Sequence, residues 1–459
     1  MSAGGRIAQL LERARRLEST GQDEPAKAAY LELLHLDPTH WAALNELGTL
    51  AWATGYRSAA RTAYRQAVKC HPDNAVGRVN LANVLYQMDD LAGARIEYEA
   101  ALAADAGLPE AHQGLARTLT ELGEARAAEP HWQQGFVGHA TVTQRYRGTG
   151  TPLPALLLVS VFRGNVATRP YLDDRVFEVV ALYAEFCEPA QPLPPHAVVF
   201  NAIGDADLCP LALERAEALV ARSTAPVINP PERVRLTGRA ENARRFASLP
   251  GVVAPEIQRV RRAALQSLEL AFPVLLRAPG FHTGEHFLRV ERREELQEAI
   301  ATLPGEELLA IEYLDARGTD GLARKYRVMF IDGALYPLHL AISPGWKVHY
   351  FSSDMAASAA HREEERRFLE DMPGVLGPRA MSALESISQD LGLDYAGIDF
   401  GLGPDGSVLL FEANAAMVIL PPDPAAMWDY RRAPIQRALE AVKRMLLARA
   451  AQRPSVAVP

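Results

Sequence analysis

Gly21, Gly55, Asp89 and Gly123 follow one another at intervals of 34 residues, and the same step joins Ala26, Ala60, Ala94 and Ala128. It also joins Tyr30, Tyr64, Tyr98 and Trp132, and sets Pro38 and Pro72 one interval apart, with Ala106 beside Pro109 at the third position. Several columns sharing one period mark copies of one small unit, and a unit of this size cannot bury an apolar face alone. Each copy must lean on its neighbours. A small residue lets two helices approach closely, an aromatic ring one turn later fills the gap to the next copy, and proline closes the second helix.

Leu44, Leu47 and Gly48 in one unit are answered by Leu81 with Ala82 and by Leu115 with Ala116. The set resembles the tetratricopeptide repeat. Three full repeats are expected over residues 41–142, preceded by a partial one whose second helix covers 24–36, so that 1–142 forms an all-α solenoid. Such a surface holds a peptide or partner protein, mediates dimerisation, or braces a neighbouring domain.

Composition narrows the remaining choices. Lys and Arg number 48 against 56 Asp and Glu, and 48 − 56 = −8, an acidic balance that excludes a broad nucleic-acid or anionic-membrane footprint. The longest apolar run, 154–162, is half of the ~18 residues a membrane helix needs. Neither a span nor a signal peptide is expected. Cys70, Cys187 and Cys209 lack any C-x-x-C spacing, which argues against a disulfide scaffold or a thiolate metal site and fits a cytoplasmic protein.

Beyond Pro154 the pattern changes to strands alternating with helices, the mark of an α/β sheet. Apolar runs predict strands at 155–161, 198–203 and 227–229, with a helix over 211–223 between the last two. A helical stretch from Pro231 carries Arg239, Arg244 and Arg245, and strands are predicted at 274–277, 308–312 and 327–331. A helix over about 424–450 and a flexible tail, 451–459, close the chain.

The most informative segment is Asp394-Tyr-Ala-Gly-Ile-Asp-Phe-Gly-Leu-Gly-Pro-Asp-Gly-Ser-Val-Leu-Leu-Phe-Glu-Ala-Asn414. Its turn residues predict a β-hairpin, and a two- or four-residue loop makes opposed residue numbers sum to 811. Asp399 then faces Glu412, with Asn414 two residues on, while Phe400 and Phe411 share the other face. Two like charges directly opposed are destabilising unless something positive lies between them. A divalent cation would resolve the conflict, and an all-oxygen trio suits Mg²⁺. Gly397 and Gly401, flanking Asp399, would leave room for ligand. The competing readings are acids on a solvated sheet face, or an odd loop length that breaks the register.

With Phe272-Pro-Val-Leu-Leu-Arg277-Ala-Pro-Gly280-Phe-His282-Thr-Gly284 and Ala310-Ile-Glu312-Tyr313-Leu314-Asp315 upstream of it, this hairpin resembles the ATP-grasp superfamily, and in particular its glutathione-synthetase-like and RimK-like ligases. The resemblance covers 152–447 and implies an α/β pre-ATP-grasp subdomain at 143–230 and α+β ATP-grasp subdomains at 231–450. It implies ATP and Mg²⁺ as cofactors, two ions, with Mn²⁺ as a substitute, and Asp399, Glu412 and Asn414 as metal ligands. Arg239 and Arg277 stand where the family has phosphate-binding lysines. Gly280 and Gly284 belong to a phosphate lid, Glu312, Tyr313 and Leu314 meet the adenine, and Asp315 reaches the ribose. Lys325 lies on the phosphate strand, where the family often has Asp, and Arg327 is the catalytic arginine near the transferred phosphate. His282, His339, Lys347 and His349 are candidates for substrate contacts.

The implied chemistry is an ADP-forming carboxylate–amine ligation through an acyl phosphate, on carboxylate and amine substrates that the repeats would present if one is peptide- or protein-linked. No nucleic-acid or membrane partner is expected, and an oligomer is compatible with the reading. Two alternatives are a repeat adaptor whose ATP-grasp-like domain binds nucleotide without turnover, and a small-molecule kinase on the same fold.

Overall fold

The structure is a computed structural model that describes residues 3–162, 164–280, 284–348, 353–423 and 425–452. It divides into two compact units, residues 1–154 with 173–192, and 155–172 with 193–459.

The first unit is built by the 34-residue period. Its helices are α1 (Ala3–Ser19), α2 (Asp23–Leu36), α3 (Trp41–Ala53), α4 (Arg57–Cys70), α5 (Ala75–Gln87), α6 (Leu91–Ala104), α7 (Pro109–Glu121) and α8 (Ala125–Phe136). They make four tetratricopeptide-like pairs, so the N-terminal repeat expected to be partial has both of its helices. Ala26, Ala60, Ala94 and Ala128 have no exposed surface at all, and the aromatic column Tyr30, Tyr64, Tyr98 and Trp132 is buried. The turn column is explained by backbone conformation. Gly21, Gly55 and Gly123 have φ of 76°, 87° and 80°, and Asp89 holds the same left-handed turn at 64°, a conformation that glycine accepts freely and aspartate tolerates better than most residues. Capping repeats as well: His40 and Asn74, one period apart, accept from the backbone N–H of Ala43 and Gly77 at 3.2 and 2.9 Å.

Residues 173–192, part of the segment expected to be α/β, group with the helices for two visible reasons. Phe186 stacks on Phe136 and Trp132 at ring distances of 5.0 and 6.2 Å, and Tyr183 meets Phe136 edge-on at 4.9 Å. Arg147 bonds Asp174 through two nitrogens at 2.9 and 3.1 Å and also reaches Glu18, to which Tyr30 donates at 3.0 Å. The strand pair β1 (Thr141–Thr143) and β3 (Phe177–Tyr183) is antiparallel.

The second unit holds three groups of strands. β2 (Leu153–Val159), β4 (Val198–Asn201) and β5 (Val227–Ile228) pair in parallel, as their continuous apolar runs require, with α9 (Pro210–Val220) between β4 and β5. After α10 (Pro231–Val234) and α11 (Arg239–Phe246), β6 (Val252–Val253) joins a sheet completed by later strands. An antiparallel sheet in the order β7-β10-β8-β9 follows, made of β7 (Ile257–Arg261), β8 (Val274–Arg277), β9 (Phe287–Val290) and β10 (Glu307–Glu312), with α12 (Leu296–Thr302) before β10. Its core is Leu265, Val274, Leu276, Val290, Leu308 and their neighbours.

The last sheet has the order β12-β11-β13-β14-β6. Its strands are β11 (Ala323–Ile331), β12 (Ala334–Ser343), β13 (Tyr395–Leu402) and β14 (Val408–Asn414), and α13 (Ala359–Glu370), α14 (Met372–Leu391) and α15 (Arg432–Ala450) accompany it. The terminal helix begins later than expected because Ala426–Arg431 is a 3₁₀ turn. Residues 453–459, most of the expected tail, lie outside the described residues. No helix among the described residues is long and apolar enough to cross a membrane.

In the repeats, a Cβ added to Gly114 would sit 2.1 Å from the Tyr98 ring. Gly114→Ala should therefore destabilise the protein by roughly 1–3 kcal/mol through overpacking, although alanine favours helix by about 1 kcal/mol. Urea unfolding measures it, and an unchanged midpoint would contradict this packing.

Candidate functional site

The site is set by strand register. β13 and β14 are joined by a five-residue loop, 403–407, so Leu402 faces Val408 and Phe400 faces Leu410, pairs whose numbers sum to 810. Left to continue, that register would bring Phe411 opposite Asp399. A bulge between Asp399 and Phe400 adds one residue on β14 and restores the expected pairs Asp399 with Glu412 and Gly397 with Asn414. The odd loop and the bulge compensate each other. Phe411, expected in the core opposite face, instead lines the cavity described below.

The same register continues across the sheet. Arg327 of β11 faces Asp399 on one side and His339 of β12 on the other. His339, Arg327, Asp399 and Glu412 thus form one row over four adjacent strands, about 14 Å long at the usual strand spacing. The row floors a cavity of about 740 Å³, within the range of small-molecule sites.

The like-charge conflict between Asp399 and Glu412 is resolved by the protein's own cations. Arg327 grips both oxygens of Asp399, Nε to Oδ1 at 2.6 Å and Nη2 to Oδ2 at 2.8 Å, and Lys325 Nζ adds 3.1 Å to Oδ2. Arg239 donates from Nη1 to the Phe411 carbonyl at 2.9 Å and from Nη2 to Glu412 Oε1 at 2.8 Å. It thereby satisfies the carbonyl of the residue that the bulge sets apart. A metal is thus not needed to make the carboxylate pair tolerable, which removes the necessity from the sequence argument for one.

Burial opposes ionisation of Asp399, but Arg327 and Lys325 overcome it and hold the carboxyl well below the usual range. Glu412 is likewise lowered, burial being outweighed by Arg239 and Arg277. Arg277 shows the opposite strain. Burial and the nearby charge of Arg239 bring it down to about 10. His339 is driven well below its ordinary value by burial and by Arg327, so it is neutral at physiological pH. Arg239, Arg277, Lys325 and Arg327 gather around Asp399 and Glu412, with Asp205 and Asp207 beside the two outer arginines, and such a cluster of cations suits a polyanion.

Of the other expected residues, Glu312, Tyr313 and Leu314 line the cavity, as do Gly284 and Lys347, whose Nζ lies 3.5 Å from the Phe287 carbonyl. The Glu312 carboxylate accepts from the Glu256 N–H at 2.9 Å. Gly280 lines a small recess of about 50 Å³ that shares Arg239, Arg277, Glu412 and Asn414. Asp315 is not on the cavity wall: Arg317 Nε holds it at 2.9 Å, and Tyr313 donates to it at 3.4 Å. His282 and His349 lie outside the described residues. The space beside Gly397 and Gly401 is taken by protein, not left for ligand. A Cβ at Gly397 would meet the sulfurs of Met329 and Met417 at 2.7 Å, and one at Gly401 would meet Ala316 at 2.5 Å.

Sequence reasoning missed Arg431 and Glu365. Arg431, at the end of the 3₁₀ turn, lines the cavity, with its Nε 3.2 Å from Oε1 of the fully buried Glu365. Glu365 sits in Arg362-Glu-Glu-Glu-Arg-Arg367, which reads as a solvated helix face. The available signal was helical phase: Glu365 lies three and four residues before the buried Phe368 and Leu369.

No family model matches the chain, and no curated protein matches it. Among solved structures, it is similar to MamA at 20% identity, over 28% of this chain and 75% of that one, with a TM-score of 0.27. A MamA fragment from Desulfovibrio magneticus gives 18% identity, 28% and 73% coverage and 0.26. The first TPR of Spaghetti (RPAP3) bound to an HSP90 peptide gives 16%, 26% and 94%, and 0.25.

The pair at the centre of the row fixes a pH dependence. Because the native Asp399 carboxyl titrates below its unfolded value of about 3.9, its contribution to stability is complete above roughly pH 5 and is lost as the pH falls toward the native value. Asp399→Asn should flatten the slope of unfolding free energy against pH between about 5 and 2, besides lowering stability overall. Urea titrations at stepped pH read this, and parallel slopes for the two proteins would contradict it.

Proposed function

We propose that the second unit is an ATP-dependent carboxylate–amine ligase of the ATP-grasp kind. The observation that supports it is the four-strand row, where four cations meet two carboxylates on the floor of a cavity large enough for a nucleotide and a small acid. Arg239 and Arg277 stand at its Glu412 end, positioned for the phosphates of ATP as substrate. A phosphate there would offset the burial and the Arg239 charge that together lower Arg277. The base would lie between Leu275, Ile311 and Leu410, with backbone groups of 312–314 along its edge.

Asp399, Glu412 and Asn414 offer an all-oxygen set that fits Mg²⁺. In the structure, Asn414 Nδ2 donates to Glu412 Oε1 at 2.8 Å and its Oδ1 accepts from the Ala416 N–H at 2.9 Å, while both Asp399 oxygens are held by Arg327. With Arg239, Arg277, Lys325 and Arg327 already around these carboxylates, the set would hold a divalent cation best when it arrives with a polyphosphate. When bound, the ion would supply neutralisation of phosphate charge. Lys325 and Arg327 stand next along the row, where they would orient the acid's carboxylate against the terminal phosphate and stabilise charge during transfer. His339, neutral, adds no competing charge there. The amine would then displace phosphate from the activated acid. The tetratricopeptide-like helices of the first unit suit a protein-interaction role, holding a peptide or partner protein.

MgATP should raise the melting temperature, and ADP with phosphate should appear only when acid and amine are both supplied. Arg277→Met should weaken MgATP binding by roughly thirtyfold, the loss of about 2 kcal/mol from one charge-assisted contact. Release of AMP, or nucleotide binding indifferent to Arg277→Met, would overturn the proposal.

A further inference from the structure

We infer that the β12 end of the cavity is a binding chamber for a monocarboxylic acid with a bulky, uncharged apolar body. The inference rests on the ligase reading for the acid's fate, but not for its binding. The row orders the cavity: Glu412, with Arg239 and Arg277, marks one end, and His339 on the outermost strand marks the other. Leu338 and Trp428, both beside Arg431, stand at this end, and Met355, Leu420 and Ile435 also line the cavity. Leu420, also on the lining, is 47% exposed and so leaves apolar surface open to a ligand.

The charge at this end is paired locally. Arg431 is 7% exposed and Glu365 is fully buried behind it; Tyr430 donates to the Glu365 carboxylate, and the Leu340 N–H does so at 3.3 Å. Arg431 Nη2 also lies 3.5 Å from the Leu338 carbonyl, and its guanidinium sits 5.9 Å from the Trp428 ring. The guanidinium, paired with Glu365, therefore helps shape the wall. Lys347 and Asp423, elsewhere on the lining, are opposite in sign. Among the described residues, the guanidinium at this end is already paired with Glu365, so a second anionic group on the ligand would lose its water for a cation that is not free. The ligand's one carboxylate is directed instead to Lys325 and Arg327, a strand away, where positive charge is in excess. An apolar body then fills the chamber, and small acids such as acetate leave it wet.

Tryptophan fluorescence of the full chain, with and without MgADP, tests this using 4-phenylbutyrate, glutarate and acetate, since Trp428 and Trp346 both line the cavity. Phenylbutyrate should bind at least about tenfold more tightly than either of the others, from the apolar surface it removes from water. Leu420→Asp, at a half-exposed position that leaves folding intact, should weaken phenylbutyrate at least about fivefold, and Trp428→Phe should remove most of the signal. Equal or tighter binding of glutarate, or phenylbutyrate binding unaffected by Leu420→Asp, would overturn the chamber. Phenylbutyrate that binds as expected but never stimulates ADP release would retire the ligase and uphold the chamber. Turnover with glutarate and none with phenylbutyrate would do the reverse.

Discussion

The grip of Arg327 on Asp399 is the interaction around which the second unit's site is arranged. It joins the two central strands of the row, neutralises a carboxylate that burial alone would keep protonated, and holds apart the charges of Asp399 and Glu412. It also imposes a condition on the hairpin. Asp399 must face the sheet surface that carries Glu412, and a five-residue loop by itself would place Phe411 there. One extra residue in β14 meets the condition, and Arg239 takes up the Phe411 carbonyl while binding Glu412. Loop length, bulge, guanidinium and carboxylate are therefore one device, in which changing any part moves the others.

Helical structure was legible in proportion to its periodicity. The alanine and aromatic columns read as core and are core, and even the missing glycine at Asp89 could be read, because a turn that three glycines share constrains the fourth residue to the same backbone. Strand positions were legible from apolar runs, and β8 has the expected bounds. The hairpin was legible at its open end only. Asp399 and Glu412 face each other as expected, but for a different reason: the argument assumed an even loop, while the chain uses an odd one and a bulge. Nothing in the residue pattern announces a bulge at Phe411, whose carbonyl, not its side chain, is what Arg239 recognises. Asp315 was misplaced for a similar reason, since Arg317 two residues away competes for it locally.

Charge was the least legible property, because it depends on which surfaces fold together. Glu365 has the same side chain as its neighbours Glu363 and Glu364, and only its phase on α13 turns it inward, where Arg431 and Tyr430 keep it company. Burial pushes the Glu365 carboxyl above the usual carboxylate range, and Arg431, Tyr430 and the Leu340 N–H oppose that only in part. Across the row, by contrast, Arg239 and Arg277 are near enough to repel each other. A net charge of −8 over the whole chain coexists with a cleft that gathers Arg239, Arg277, Lys325 and Arg327. Overall acidity bears on broad surfaces, and the cleft is too small to be seen in it.

The choice of arginine at positions 239 and 277 also follows from this geometry. At Arg239 the planar fork reaches a backbone carbonyl with one nitrogen and a carboxylate with another, at 2.9 and 2.8 Å. A lysine ammonium, a single point, would have to sit between the two acceptors and could not then face the cavity as well. Once the bulge leaves a carbonyl to be satisfied beside Glu412, arginine is the residue that can satisfy both and still present its remaining donors. At Arg277 the argument concerns charge. A lysine, buried and facing Arg239, would lose its proton more readily than an arginine, whose ordinary value leaves room for the fall to about 10 without loss of charge at neutral pH. Arginine at both positions thus keeps cationic character under conditions that the bulge and the crowding of cations impose.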